Sequence, residues 1–169
     1  ARHAAVPARI DAGLAGDSIA GARALLVGHG HYDHLMDVPY LAERHAPRAT
    51  IYCNQTSTNI LAGEPSAAAL LPRTVTVDGP MLGRWVPVPG ARVRLMALPG
   101  QHPDHLALLG LGFMFYGGSV GTPRRAPACK GTDWREGQTL VFLVDFLDAS
   151  GRPEYRIYFQ DASPEAPFG

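Results

Sequence analysis

Gly28-His29-Gly30-His31-Tyr32-Asp33-His34 packs three histidines and one carboxylate into the six positions 29–34, directly behind the apolar run Ala22 to Val27. A short apolar run ending at a glycine suits a strand buried on both faces. His29 and His31 are two positions apart, so on extended backbone both rings project to the same side. Neutral imidazole is the commonest protein ligand for transition metals. Two imidazoles joined by a third from elsewhere make the open three-ligand site of a catalytic zinc. Gly28 and Gly30 allow the tight backbone such a loop needs. Asp33 and His34 then face a second position beside the first, where a second ion could share a water with the first. Four ligand-type side chains at this density argue against a solvated helix start, the usual reading of a single loop histidine.

The string His29-Gly30-His31-Tyr32-Asp33-His34 after a strand resembles the HxHxDH signature of the metallo-β-lactamase superfamily. The resemblance implies that His29, His31 and a later histidine bind one metal ion. It implies that Asp33 and His34, with a final histidine, bind the other, and that a late aspartate bridges the two. His102, in Leu98-Pro99-Gly100-Gln101-His102 at the end of a predicted strand, is similar to the third-histidine segment of that family. Asp161 follows the predicted strand Tyr155 to Gln160 and precedes Ala162-Ser163, similar to the family's strand–Asp–small segment. The resemblance runs from about Ala22 to Ser163. It implies an α/β fold of the αβ/βα sandwich type: four layers, with mixed β-sheets face to face and helices outside. No histidine follows Asp161, so residues 1–169 are expected to form a single domain of this kind that is incomplete at one or both ends.

Outward from the motif, Asp37 is expected to cap a helix that begins at Val38-Pro39, runs through Arg44 and stops before Pro47. Ala49 to Cys53 reads as a strand. Thr58 to Leu61 reads as a short helix closed by Gly63, and Ser66 to Leu71 as another helical turn. Arg73 to Val77 alternates like an exposed strand. Trp85 to Val88 and Ala91 to Leu98 form a hairpin around Pro89-Gly90. Leu106 to Tyr116 is apolar and Gly-spaced, and Gly117 to Gln138 is a Gly/Pro-rich loop that shapes the pocket. Thr139 to Leu147 and Tyr155 to Gln160 are the two clearest strands, turning at Ser150-Gly151. Residues Ala1 to Gly21 read as a loop or a weak helical turn.

The chain has 169 residues, 46% apolar and 18% charged, with zero formal net charge. That balance suits one globular domain. It argues against a dedicated nucleic-acid surface and a polybasic membrane patch, and no apolar run approaches the roughly 20 residues of a membrane helix. Cys53 and Cys129 form no CxxC pair and indicate neither a redox compartment nor a site. His45 reads as a helix-end cation, His3 as tail and His105 as a loop residue. Asp145 reads as an outward-facing strand carboxylate. Arg124, Arg125 and Lys130 read as a solvated loop face, and Trp85, Trp134, Phe113 and Phe115 as packing.

The expected function is a metal-dependent hydrolase in which a metal-activated water attacks an ester, lactone, amide or phosphodiester bond of a small-molecule substrate. Asp33 and His34 are the expected catalytic residues. His29, His31, Asp33, His34, His102 and Asp161 are the expected metal ligands. Zinc, two ions per chain, leads because the site is rich in imidazole; manganese, iron or nickel would also be accommodated. One alternative is a mononuclear iron oxidoreductase of dioxygenase type on the same scaffold, and another is a non-catalytic metal-binding module. Oligomeric state and compartment are left open.

Overall fold

The computed structural model describes residues 3–16, 18–102 and 117–162. The segment Leu106 to Tyr116, with His105, Phe113 and Phe115, and Ser163 lie outside the described residues.

Three strands, β1 (Ala24–Leu26), β2 (Thr50–Cys53) and β3 (Thr74–Thr76), form a parallel sheet in the order β1-β2-β3. Four more, β4 (Trp85–Pro87), β5 (Val93–Pro99), β6 (Leu140–Leu147) and β7 (Pro153–Gln160), form an antiparallel sheet in sequential order. Parallel and antiparallel pairing are thus divided between the two sheets. β2 shows why its short apolar segment can sit centrally. Ile51 and Cys53 face one core, with Val27, Leu35, Ala42, Ile60 and Leu61, whereas Tyr52 faces the other, with Leu95, Ala97, Leu140 and Phe142. A strand apolar on both faces must be covered on both. Helices cover the first face and the antiparallel sheet covers the second. The described residues therefore supply the helix–sheet–sheet layers of the expected αβ sandwich. Each fully buried aliphatic side chain in these cores contributes about 1.5–3 kcal/mol.

The helices are α1 (Pro7–Gly13), α2 (Tyr32–Leu35), α3 (Val38–Tyr40), α4 (Gln55–Leu61) and α5 (Ala67–Leu70). Among the described residues no helix is long and apolar enough to cross a membrane. Two expectations about helix ends need correction. Asp37 is itself in helical conformation (φ −87°, ψ −13°) and its side chain caps nothing; the chain enters α3 from α2 almost without a break. Gly63 is absent from the positive-φ glycines. It is required because a Cβ there would overlap the Ala126 carbonyl.

After α3 the chain widens into a π-helical turn, Leu41–His45, closed by Ala46 N–H donating to Leu41 O at 2.8 Å. Carbonyls at such an end lack helical partners. Arg73 supplies them, donating to Ala42 O at 2.7 Å, Ala46 O at 3.1 Å and Ala49 O at 2.9 Å. Asp145 also differs from expectation. Its side chain is 0% exposed because Arg94 on β5 and Arg156 on β7 flank it in register and donate to both its oxygens at 2.6–2.9 Å. Arg156, with Arg94, holds the Asp145 carboxyl below the usual carboxylate range against the opposing effect of burial. Both guanidinium groups lie over the Trp85 ring, at 4.3 and 5.3 Å, where cation–π attraction adds to packing.

Candidate metal centre

The motif loop leaves β1 at the end of the parallel sheet, and backbone bonds from the other half of the chain hold it. Leu140 N–H at the start of β6 donates to Gly28 O at 2.7 Å, and Gly30 N–H donates to Glu136 O at 2.9 Å. Extended backbone at His31 (φ −69°, ψ 156°) then leads into α2, which carries Asp33 and His34. His29 (0% exposed) and His31 (3% exposed) therefore point into the protein, Asp33 is exposed, and His34 is half-buried. β5 runs to Pro99, three residues before His102, and β7 ends one residue before Asp161. Three segments distant in sequence thus deliver their side chains to one place.

The rings of His29, His31 and His102 lie 4.6, 4.6 and 4.9 Å apart, centroid to centroid. One ligand atom from each falls within 4.8 Å of the others, and the same holds for His29, His34 and Asp161. His29 is common to both sets. The structure thus brings together five of the six expected ligands. Asp33 stands outside both sets, with its Oδ2 3.6 Å from His34 Nε2.

Asp161 is the electrostatic centre of the group. Its Oδ2 accepts from Gly28 N–H at 2.8 Å and lies 3.2 Å from His34 Nδ1; its Oδ1 lies 3.4 Å from His29 Nδ1. Burial opposes its charge, but the hydrogen bonds from His29 and His34 outweigh burial and hold its carboxyl well below the usual range. In return Asp161 raises the basicity of His34, against desolvation and with help from the Asp33 charge. A carboxylate on one ring nitrogen fixes the tautomer and turns the other nitrogen outward as a ligand. His29 Nε2 is buried and has no hydrogen-bond partner among the described residues. Such an orphaned atom calls for an explanation. Converging imidazoles and a carboxylate are the donor set that a borderline cation such as zinc takes, so the residues fit a metal ion.

A cleft of ≈ 370 Å³ opens beside His102, between Gly100–His102 and Glu136–Thr139. Gln101, Glu136, Gln138 and Thr139 were not singled out by sequence; only the tertiary fold brings the two segments together. Arg124 is turned away from this cleft. It donates to Ala126 O and pairs with Asp133 at 3.5 Å, while Arg125 and Lys130 are exposed. Tyr32 stacks on His3 at 4.4 Å and packs against the helical core. His45 lies 2.8 Å from Asp11 and ties the π-turn to α1. Cys53 is buried, and burial pushes its thiol up to about 12, which makes it unreactive.

Gly28 is the least replaceable glycine of the loop, because a Cβ on it would overlap the Asp161 carboxylate. Gly28→Ala should displace Asp161 from the two imidazoles and weaken zinc binding about 10–100-fold, the usual effect of losing such a supporting carboxylate. Calorimetric titration of zinc into stripped protein measures this. Gly21→Ala, where nothing lies within 4 Å, is the matched control, and equal affinity in the two variants would refute the role given to Asp161.

No curated protein and no solved structure gives a significant match to the chain. A family model does match, over residues 3–140, a span that includes His29, His31, Asp33, His34 and His102, and the chain belongs to that family, the beta-lactamase superfamily domain.

Proposed function

We propose that the chain is a metal-dependent hydrolase acting on an ester, lactone, amide or phosphodiester bond of a small molecule, within a single metallo-β-lactamase-like domain. The observation that carries this reading is the convergence of one ligand atom each from His29, His31 and His102 within 4.8 Å, in a chain of the beta-lactamase superfamily. His29, His31 and His102 would hold one ion, and His34 and Asp161, with Asp33 alongside, would hold a second; zinc suits both sets. A divalent ion held there supplies a water of lowered pKa and a Lewis acid for the substrate oxygen.

The protein's own groups do the rest. Asp161 stays anionic and orients the His29 and His34 rings through their Nδ1 atoms. Asp33, exposed and 3.6 Å from His34 Nε2, is placed to take the proton of the attacking water at its carboxylate. His34, with Nδ1 on Asp161 and its basicity raised by it, would give its Nε2 to the ion and leave the proton to Asp33. The polar cleft beside His102 would seat the substrate, with Gln101 and Gln138 as hydrogen-bonding groups. Backbone contacts from Glu136 and Leu140 keep the loop rigid, so that little reorganisation is needed during reaction.

The test is a hydrolase screen over lactone, ester, amide, phosphodiester and β-lactam substrates, with protein supplied in turn with zinc, manganese, iron and nickel. The expected result is turnover of at least one class that a chelator abolishes and one of these metals restores. Turnover indifferent to chelation, or no turnover with any metal and any class, would overturn the proposal.

A further inference from the structure

The ≈ 370 Å³ cleft beside His102 has one wall, residues 136–139, in which three hydrogen-bond donors are taken up within the protein. Gly137 N–H donates to Gly118 O at 2.9 Å, Gln138 Nε2 to Thr139 O at 2.9 Å, and Thr139 Oγ1 to Glu136 Oε1 at 2.6 Å. Glu136 Oε2 and Gln138 Oε1 accept nothing among the described residues. The wall therefore offers acceptors. A carboxylate takes about four donors, so one threonine hydroxyl leaves Glu136 with capacity.

Glu136 is held at both ends. Its main-chain O accepts from Gly30 N–H of the motif loop and from Asn54 Nδ2, each at 2.9 Å. Its carboxylate is oriented by Thr139, which is 3% exposed. A group ordered in advance binds a partner without the entropy cost of immobilising it. No opposite charge balances it in the cleft. Neither lysine nor arginine is among the described lining residues, and residues 103–116, directly after His102, contain neither. Arg135, its neighbour in sequence, donates to Gly117 O at 3.0 Å. A half-buried carboxylate attracts a cation and repels an anion more strongly than one in open water.

We infer that Glu136 is a specificity-determining residue, selecting substrates that carry a positively charged nitrogen on the part seated in this cleft. This inference rests on the hydrolase reading of the same site. The ammonium donates to Glu136 Oε2 and Gln138 Oε1, and the scissile bond lies at the His102 end.

Three para-nitrophenyl esters of matched acyl length test it on zinc-loaded protein: those of β-alanine, with an ammonium, of butyrate, neutral, and of succinate, with a carboxylate. After division by the uncatalysed rate, kcat/KM should be at least tenfold higher for the β-alanine ester than for the butyrate ester, and lowest for the succinate ester. Glu136→Gln keeps an oxygen for Thr139 and should abolish the ammonium advantage. Gln101→Lys, which puts a cation on the opposite wall, should reverse the order of the β-alanine and succinate esters. Binding is read separately with the methyl ketones that correspond to the β-alanine and butyrate esters and have no bond to hydrolyse. The Gly137 N–H signal in a nitrogen–proton NMR spectrum reports it. The amino ketone should bind wild type at least tenfold more tightly than the neutral ketone, and Glu136→Gln should bind the two alike. If no ester is turned over, the hydrolase reading falls and the ketone comparison alone decides. Equal binding of the two ketones by wild type, or an ammonium preference that survives Glu136→Gln at unchanged melting temperature, would overturn the inference.

Discussion

His31→Ala should lower kcat/KM by roughly 10³-fold, because several kcal/mol of transition-state charge stabilisation depend on the ion and each 1.36 kcal/mol is about tenfold in rate. His31 is 3% exposed, and its ring lies 4.6 Å from that of His29 and 4.9 Å from that of His102. Removing it leaves two imidazoles, one fewer than the three protein ligands of a catalytic zinc site. The fold should survive, because the loop is pinned by Gly30 N–H to Glu136 O and by Leu140 N–H to Gly28 O, and neither bond uses the His31 side chain. The measurement is steady-state kinetics on the substrate found in the screen, beside metal content and a melting curve. His45→Ala, whose ring lies by Asp11, serves as the control. A variant that keeps its melting temperature and more than a tenth of wild-type activity would remove His31 from the centre.

The parts of the molecule legible in the sequence are those whose partners are near in the chain or whose order is distinctive. His29, His31, Asp33 and His34 announce themselves by density. His102 and Asp161 can be found because each follows an apolar strand in the expected order. β2 is legible because Ile51, Tyr52 and Cys53 form an unbroken apolar run, and the two cores confirm why no polar alternation is tolerated there. Asp145 misleads because alternation reports which face a residue occupies, not which cross-strand neighbours will enclose it. Arg94 and Arg156 lie 51 and 11 residues away. Arg73 looks like the start of a polar strand, whereas its role is set by three carbonyls 24 to 31 residues earlier. Asp33 shows the limit inside the motif itself: the string places it beside His34 but does not say how far α2 turns its carboxylate toward solvent.

The side chain that most clearly escapes sequence reading also carries the largest expected effect on stability. Asn54 directly follows β2, is 0% exposed, and makes a hydrogen bond with each polar end of its amide. Its Oδ1 accepts from Ser57 N–H at 2.7 Å, which caps α4. Its Nδ2 donates to Glu136 O at 2.9 Å and to Gln138 O at 2.8 Å. Donors and acceptors on all sides admit only this orientation of the amide. Gly137, between those carbonyls, sits at φ +70°, and a Cβ there would press on Thr56 and Asn54. Asn54→Ala loses a cap, about 1 kcal/mol, and leaves Gln138 O without its donor, about 1–3 kcal/mol when buried, while Glu136 O keeps Gly30 N–H. The expected loss is roughly 2–4 kcal/mol, a sizeable part of the usual 5–15 kcal/mol of a small domain, read from the urea midpoint at constant slope. Asn54→Asp separates the two contributions. It keeps an acceptor for Ser57 but turns an oxygen toward each carbonyl, so it should cost at least as much as alanine despite its intact cap. The consequence reaches the metal centre, because Glu136 O accepts from both Asn54 Nδ2 and Gly30 N–H. Loosening that carbonyl frees Gly30, and with it the spacing of His29 and His31, so zinc affinity should fall in both variants even where they remain folded. Asn54→Asp costing less than about 1 kcal/mol, or either variant binding zinc like the wild type, would show that the loop behind the motif is held by something other than this amide.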